Sequence, residues 1–278
     1  MALKKFRPTT PGVRQMSIAS FEEVTRTKPD KSLTVALKKH SGRNNTGRVT
    51  TRHRGGGVKR MYRLIDFNGT DKANIEAVVK SVEYDPNRTA YIMMLTYKDG
   101  EKRYQIAPEG IKVGDVLVTR EKAKVKTGNR MIVNNIPVGY SMYNVELYEK
   151  RGGQIARSAG ASAKLVSLEG SHAQIQTGCG EIRLISKKCY ASVGIVSNLE
   201  HSNIKIGKAG RMRLMGRRPQ VRGKAMNPVD HPHGGGEGST SIGLKHPKTP
   251  WGMPALGFKT RRRKYTNKMI VKSRHRKK

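Results

Sequence analysis

The sequence predicts a mainly β protein in which an OB-fold-like barrel is followed by an SH3-like barrel, with long extended basic arms at both ends. Short β-prone runs occupy the middle of the chain, and turn residues bound each run. Positive charge is concentrated at the two ends. The 278 residues carry 56 Lys and Arg against 20 Asp and Glu, a formal charge of +36.

The two arms are predicted from charge and composition. Residues 1–60 hold 15 Lys and Arg against 3 Asp and Glu, residues 61–200 hold 20 against 15, and residues 201–278 hold 21 against 2. Both ends lack apolar periodicity, and half of the 12 prolines follow residue 200. Such segments bury too little apolar area to offset their ordering entropy. We therefore predict extended arms at 1–60 and 201–278 that become ordered only on a polyanion.

Five short β-prone runs predict the first barrel, at residues 61–127. Asp99-Gly100, between two of the runs, is the strongest local hairpin signal. Five strands at this spacing favour a small antiparallel barrel, and an OB-like barrel is the commonest way to close five. The predicted strands are Ile65–Phe67, Ile75–Val79, Ala90–Leu95, Tyr104–Ile106 and Val116–Val118.

A second set of five runs predicts the second barrel, at residues 128–200. These strands are shorter and their loops tighter, which favours a small SH3-like barrel. The segment Ile132–Pro137 is predicted to connect the two barrels. The strands predicted here are Val145–Leu147, Lys164–Leu168, Ala173–Gln176, Glu181–Ile185 and Ala191–Val196.

The charge also limits the partners of the chain. A soluble chain at +36 needs a polyanion, and nucleic acid releases counterions when its phosphates are neutralised. A membrane surface would require an amphipathic helix with aromatic anchors, yet aromatic residues make up only 5%. No window approaches the roughly 20 apolar residues of a membrane span. Residues 1–8 lack the apolar stretch of a secretory signal, so we expect a cytoplasmic protein without a membrane partner.

The two cysteines carry little information about function. Cys179 and Cys189 are too few for a disulfide scaffold, and their separation fits no common zinc spacing. We expect two reduced, half-buried thiols and no metal site.

An Arg-Gly tract closes the N-terminal arm. Glycine lets the backbone approach closely, so its N–H groups can meet phosphates while arginine forks bind them bidentately. The triplet Gly55–Gly57 lacks the Lys-Ser/Thr pair of a nucleotide-binding P-loop, so ATP is not expected. A flexible linker with solvated charges is the alternative. The predicted RNA contacts are Arg52, Arg54, Lys59 and Arg60.

Single arginines stand on two loops at the rims of the predicted barrels. Arg88 follows Asp85-Pro86-Asn87, and Arg157 lies in the glycine-rich stretch Gly152–Gly160. Binding residues concentrate on such loops, although a solvated charge is an equal alternative for any one surface arginine. The proline and glycine residues that shape both loops favour recognition, and we predict that both arginines contact RNA.

The stretch Gly223–Gly238 has three interpretations. Asp230, His231 and His233 could be metal ligands, or the histidines could work as an acid–base pair, since imidazole titrates near neutral pH. A closed metal site needs a fourth ligand, and catalysis needs a nucleophile or a core that holds the base. The favoured interpretation is an extended strand inserted into RNA, with Asn227, His231 and His233 contacting bases or phosphates.

Further basic patches lie in the C-terminal arm. They support nucleic-acid binding without identifying the partner, and solvated tails are the alternative. Trp251 either stacks on a base or seals a local turn, and the sequence does not decide between them. The patches contain Arg217, Arg218, Arg222, Arg261, Arg262 and Arg263, and a last cluster spans residues 274–278.

The block Met226–Gly238 resembles one specific family, the universal ribosomal protein two of the large subunit in its bacterial form. The likeness runs almost from end to end of the chain. The segments Lys4–Gly12, Gly47–Gly57, Tyr84–Arg88 and His246–Gly252 resemble the same family.

The resemblance implies a primary binder of large-subunit 23S rRNA on the cytoplasmic ribosome, with an OB-like barrel followed by an SH3-like barrel. It implies that Arg88 and Arg157 bind rRNA and that the C-terminal arm supports the peptidyl-transferase region and tRNA binding. It also implies contacts with other ribosomal proteins, and an intersubunit bridge to small-subunit 16S rRNA.

The resemblance also bears on catalysis. His231 matches a histidine once proposed to assist peptide-bond formation. The proposal is disputed, and we assign that chemistry to RNA. We therefore predict no catalytic residue, no cofactor and no small-molecule substrate. RNA phosphates are expected to hold any Mg²⁺ near the arm.

Two other functions remain as alternatives to a structural, RNA-binding ribosomal protein. One is a peptidyl transferase that depends on His231, and the other is a general chaperone that compacts nucleic acid. Activity of the chain without rRNA would favour the first. Equal binding of rRNA and duplex DNA would favour the second.

Overall fold

The computed structural model describes residues 3–238 and 240–274. In these ranges the chain is mainly β, with antiparallel sheets and two short α-helices of 4 and 6 residues. The fold class predicted from the sequence is confirmed. Residues 275–278 of the last basic cluster lie outside the described ranges. No helix in the described part of the chain is long and apolar enough to cross a bilayer.

The elements up to residue 118 are eight strands, one α-helix and one 3₁₀-helix. Pro11 starts the α-helix, as suits a residue without an N–H at the first helical position. The elements are β1 (Leu3–Lys5), α1 (Pro11–Arg14), β2 (Ser17–Ala19), β3 (Thr34–Ala36), β4 (Met61–Arg63), the 3₁₀-helix Thr70–Lys72, β5 (Glu76–Tyr84), β6 (Tyr91–Tyr97), β7 (Lys102–Ile106) and β8 (Val116–Val118).

The elements after residue 118 complete the described chain. They are β9 (Arg130–Ile132), the 3₁₀-helix Val133–Asn135, β10 (Ser141–Tyr143), β11 (Val145–Glu146), β12 (Gly153–Ile155), β13 (Ala163–Glu169), β14 (His172–Thr177), β15 (Ile182–Ser186), β16 (Tyr190–Val193), the 3₁₀-helix Leu199–Asn203, α2 (Ala209–Leu214), the 3₁₀-helices Gly223–Ala225 and Lys264–Met269, and β17 (Ile270–Lys272).

A four-stranded antiparallel sheet in the order β7-β6-β5-β8 forms the first β unit. The predicted hairpin is confirmed, because Gly100 takes a φ of 85° and the N–H of Tyr97 donates to Glu101 O at 2.9 Å. Strand β6 is almost wholly buried. One side of the sheet carries the core of Val79, Val82, Tyr91, Met93 and Leu95, which are at most 2% exposed.

The second β unit is a seven-stranded antiparallel sheet in the order β17-β15-β14-β13-β10-β16-β9. Its core is contributed by β9, β10 and β13–β16, together with Val145 from the neighbouring β11–β12 pair. Strand β17, from the C-terminal arm, pairs with β15 at the edge. The central core residues are Met131, Met142, Val145, Leu165, Ile175 and Ile185.

A third apolar cluster joins the two β units. Ala90 and Ile106 from the first unit pack with Tyr143 and Val196 from the second. Backbone hydrogen bonds cross the same boundary, from Glu109 N to Ile195 O at 2.8 Å and from Ser197 N to Ala107 O at 3.1 Å. The two units therefore share a packed and hydrogen-bonded boundary.

Two predictions of local structure were wrong. Ile65–Phe67 is not a strand, because the carboxylate of Asp66 accepts the N–H groups of Asn68 and Gly69, both at 2.8 Å, and turns the chain. The segment after Arg130 is not merely a connection. Residues Arg130–Ile132 form β9 and pair with β16 within the second sheet.

Contacts divide the chain into two compact units. One consists of the segments up to Lys38, Lys59–Lys208, and Thr266 onward, and the other consists of Lys39–Val58 and Ala209–Tyr265. We call the second of these the arm unit. The division of the sequence into 1–60, 61–127, 128–200 and 201–278 stays a prediction.

The two cysteines are both free, but they are not both half-buried as expected. Cys179 is exposed and Cys189 is fully buried. Burial, together with the charges of Glu146 and Glu149, raises the pKa of the Cys189 thiol to about 12. A hydrogen bond with Thr177 lowers the pKa of Cys179. The two thiols therefore differ in both access and acidity.

Candidate nucleic-acid interface

Both arginines singled out on the barrel loops lie against one aromatic ring. The guanidinium carbon of Arg157 is 4.5 Å from the centroid of Phe67, and that of Arg88 is 5.7 Å from it. The ring also packs on the apolar cluster that joins the two β units. We call Phe67, Arg88 and Arg157 the junction site.

Arg88 is fixed by a buried carboxylate. Its Nε donates to Asp85 Oδ2 at 2.6 Å, and Asp85 is fully buried. The same carboxylate lies 3.9 Å from the guanidinium of Arg63, which is itself buried. Arg60 donates to Pro86 O at 2.8 Å in the same turn. Two arginines therefore share one carboxylate and a third arginine binds a backbone carbonyl of the same turn, so positive charge is concentrated there.

The loop that carries Arg157 is held beside Arg88 by hydrogen bonds across the boundary. Thr89 Oγ1 accepts the N–H of Ala159 at 3.0 Å, and Thr89 O accepts from the amide of Asn198 at 2.6 Å. At the other end of the loop, Gly153 N donates to Phe67 O at 2.9 Å. These bonds explain how two loops far apart in sequence converge on one ring.

The arrangement suits the recognition of a phosphate group. A guanidinium stacked on an aromatic face can still donate two N–H groups from its edge to the oxygens of one phosphate. The stacking also restricts the side chain before binding, so that binding costs less conformational entropy. Arg157 is exposed, and no ion pair to it is found among residues 3–238 and 240–274. The junction site thus combines Arg88, which a carboxylate holds in place, with the exposed Arg157.

A buried ion pair is bonded to Asn68, the residue that follows Phe67. Arg130 donates to Glu146 Oε1, Asn68 O and Asn144 O, each at 2.8 Å. Burial lowers the pKa of Arg130, while the charge of Glu146 opposes this shift. Arginine remains charged in proteins. Because Asn68 belongs to the first β unit and Asn144 to the second, the pair connects the two.

A groove of about 850 Å³ lies on the first sheet. Lys98 at its rim pairs with Glu76 at 2.8 Å; the Lys98 side chain is largely exposed and that of Glu76 is partly exposed. The groove has a partly apolar floor, and three of its four cations pair with carboxylates: Arg26 with Glu83, Lys98 with Glu76, and Lys102 with the lining residue Asp30. Its lining includes Arg26, Lys80, Lys98, Lys102, Val78 and Met94.

The arm unit joins the Arg-Gly tract to the arginines after α2. Arg54 and Arg217 form an antiparallel bridge, and Arg218 N donates to His53 O at 3.1 Å. Gly57 takes a φ of 82°, and a Cβ there would lie 2.8 Å from the backbone nitrogen of Gly216. Glycine is therefore required for this close approach. Two arginine clusters that are distant in sequence become one basic surface.

The histidines lie in a closed loop, which corrects the extended strand expected at Gly223–Gly238. Gly235 N donates to Met226 O at 3.0 Å, and Gly234 N donates to His231 O at 2.8 Å. Asn227 lies at the start of this loop and is exposed. A Cβ on Gly223 would lie 2.5 Å from His231 Nε2, so the imidazole packs directly on that glycine.

Both imidazoles already have hydrogen-bond partners. His231 is only 7% exposed, and its Nδ1 accepts the N–H of His233 at 3.0 Å. His233 Nε2 accepts the N–H of Lys248 at 2.8 Å. The two rings lie 4.8 Å apart. Among the described residues, no group of three or more His, Cys, Asp or Glu side chains could hold a metal ion.

The remaining predicted RNA contacts are exposed and lie apart from the junction site in sequence. They are Arg52, Lys59, Arg222, Arg261, Arg262 and Arg263.

The sequence analysis did not identify Phe67 as a site residue, because an aromatic residue in a β-prone run is ordinarily a core residue. The signal that could have identified it was its position immediately before the turn Asn68-Gly69.

Comparison with protein families identifies the chain. Residues 30–119 match the family described as Ribosomal Proteins L2, RNA binding N-terminal domain. Residues 126–252 match Ribosomal Proteins L2, C-terminal domain. Together the two matches include the junction site and most of the arm unit. The chain therefore belongs to the ribosomal protein L2 family, the structural RNA-binding proteins of the large ribosomal subunit that function in translation.

Proposed function

We propose that the chain is a primary binder of 23S rRNA and that the junction site is its central docking point. The convergence of Arg88 and Arg157 on Phe67 carries this proposal. Two guanidinium groups stacked on one ring are better placed to select a particular spacing of phosphates than mobile lysines are. The predicted contacts of the arms add affinity around this point through their charge.

Replacing Arg88 or Arg157 with alanine tests the docking point. Each change is expected to weaken binding of the full chain to a large-subunit rRNA fragment by about 1–3 kcal/mol. The titration is made at elevated salt, so that the arm contacts are screened. Arg120→Ala is the matched control, because it removes an exposed arginine elsewhere in the same compact unit. Losses no larger than that of the control would exclude the junction as the docking point.

We further propose that the bound protein supports subunit association, tRNA binding and the peptidyl-transferase region of the cytoplasmic ribosome. The high positive charge of the arm unit supports a role deep within folded RNA, where phosphates are dense. A bridge to 16S rRNA would require an exposed cationic face outside the docking point. The exposed Lys80 of the groove, beside the ion-paired Lys98 and Lys102, is the candidate for this face.

Peptide-bond formation itself is assigned to RNA in this proposal. His231 is packed against Gly223, and its Nδ1 accepts a hydrogen bond from its own loop, so the imidazole is committed to local structure. Ribosomes carrying His231→Ala are expected to form peptide bonds once assembled, as measured by single-turnover transfer to puromycin. Normally assembled particles with no transfer activity would show that the histidine is catalytic.

A further inference from the structure

Trp251 lies at the tip of a loop that does not need it for closure. Thr249 N donates to Met253 O at 2.7 Å, and Ala255 N donates to Pro247 O at 2.8 Å. Gly252 supports the turn with a φ of 82°. Backbone bonds therefore close the loop, and the tryptophan does not seal it.

The indole is strongly exposed and has a cation on one side. Trp251 is 77% exposed, although tryptophan is usually well buried. The guanidinium carbon of Arg52, which is also exposed, lies 5.1 Å from the ring centroid. Arginine thus covers part of one face of the ring and leaves much of the indole accessible to a second planar group.

The charge around Arg52 and Trp251 indicates which class of ligand would bind there. Residues 39–58 and 209–265, which form the arm unit, contain 18 Lys and Arg but only 2 Asp and Glu. Such a surface favours a polyanion over another protein surface of mixed charge. A base offers a planar face to the indole only when it is unpaired, and its phosphate can meet a guanidinium.

We infer that Arg52 and Trp251 form a stacking site for one unpaired RNA base, with Arg52 also donating to an adjacent phosphate. The inference rests on the proposed RNA-binding function and adds a specific subsite to it. The site would favour single-stranded or looped RNA over a continuous duplex, since bases within a helix are already stacked on one another.

Tryptophan fluorescence tests this site directly, because Trp251 is the only tryptophan in the chain. The full chain is titrated with single-stranded oligouridine and with a duplex RNA of the same number of phosphates. Stacking predicts a strong change in indole emission with the single strand, and little change at equal occupancy of the duplex. An equal or absent change with both RNAs, when both bind, would overturn the stacking site.

Affinity measurements with variants complete the test. Trp251→Ala is expected to weaken binding of the single strand on the order of tenfold, and Trp251→Phe is expected to keep most of the affinity. Leu256→Ala is the matched control, because Leu256 is 75% exposed in the same arm unit but has no ring. It is expected to bind like the unmodified chain.

The outcomes separate the stacking site from the proposed function. RNA binding that is unchanged in Trp251→Ala would overturn the stacking site alone. Equal losses in Trp251→Ala and Leu256→Ala would overturn it too, because the RNA contact would then not depend on an aromatic ring. Failure of the unmodified chain to bind either RNA would instead contradict the proposed RNA-binding function.

Discussion

Arg130→Met is expected to lower the free energy of unfolding by about 3–5 kcal/mol, because it leaves a buried carboxylate without its counter-ion. Arg130 is 3% exposed and Glu146 is fully buried. The change also removes the hydrogen bonds to Asn68 O and Asn144 O, which join the two β units. Chemical denaturation of the full chain, followed by circular dichroism, measures the loss.

Two comparisons isolate the buried charge as the cause. Lys98→Met breaks the exposed pair with Glu76 and is expected to cost at most about 1 kcal/mol. The double variant Arg130→Met with Glu146→Leu is expected to recover part of the stability, since neither charge of this pair is then left buried. If Arg130→Met cost no more than Lys98→Met, the ion pair would not be what stabilises this boundary.

Deleting residues 201–278 is expected to have a large effect on RNA binding and a small one on the central fold. The deletion removes 21 of the 56 Lys and Arg residues. The plot of log affinity against log salt should become shallower by about 0.7–0.9 for each lost cation that contacts a phosphate. Affinity at low salt should fall by orders of magnitude. An unchanged slope would show that the C-terminal arm does not contact phosphates.

The central β units should still unfold cooperatively after the same deletion. Among the described residues, no member of an apolar core cluster comes after Val196 in the sequence. The deletion does remove β17 at the edge of the seven-stranded sheet. It also removes Lys205 and therefore its hydrogen bonds with Ser17. A thermal melt of the truncated chain by circular dichroism checks this. Loss of a cooperative transition would mean that the arm is part of the folding unit.

The strands were predictable where apolar runs and turn residues agree. Strand β8 matches its predicted bounds, and the hairpin at Asp99-Gly100 follows from a glycine that can adopt positive φ. Ile65–Phe67 was misread because the sequence pattern takes no account of the turn formed by the Asp66 side chain. Strand β9 was missed because it begins with Arg130, whose burial depends on Glu146, a residue distant in sequence.

The candidate site was predictable in its parts but not in its assembly. Arg88 and Arg157 were recognised singly from the loops that carry them. Their meeting on Phe67 depends on hydrogen bonds such as that between Ala159 and Thr89, which no local pattern reveals. The closed loop around His231 was likewise hidden, because proline and glycine residues suit an extended strand as well as a tight turn.

Competition between a folded large-subunit rRNA fragment and duplex DNA with the same number of phosphates tests the proposed function most directly. We expect the rRNA to bind more tightly across the whole salt range, since the junction site and the base-stacking pair respond to RNA shape and not to charge alone. Equal affinity for the two would contradict specific rRNA docking and would indicate a general nucleic-acid chaperone.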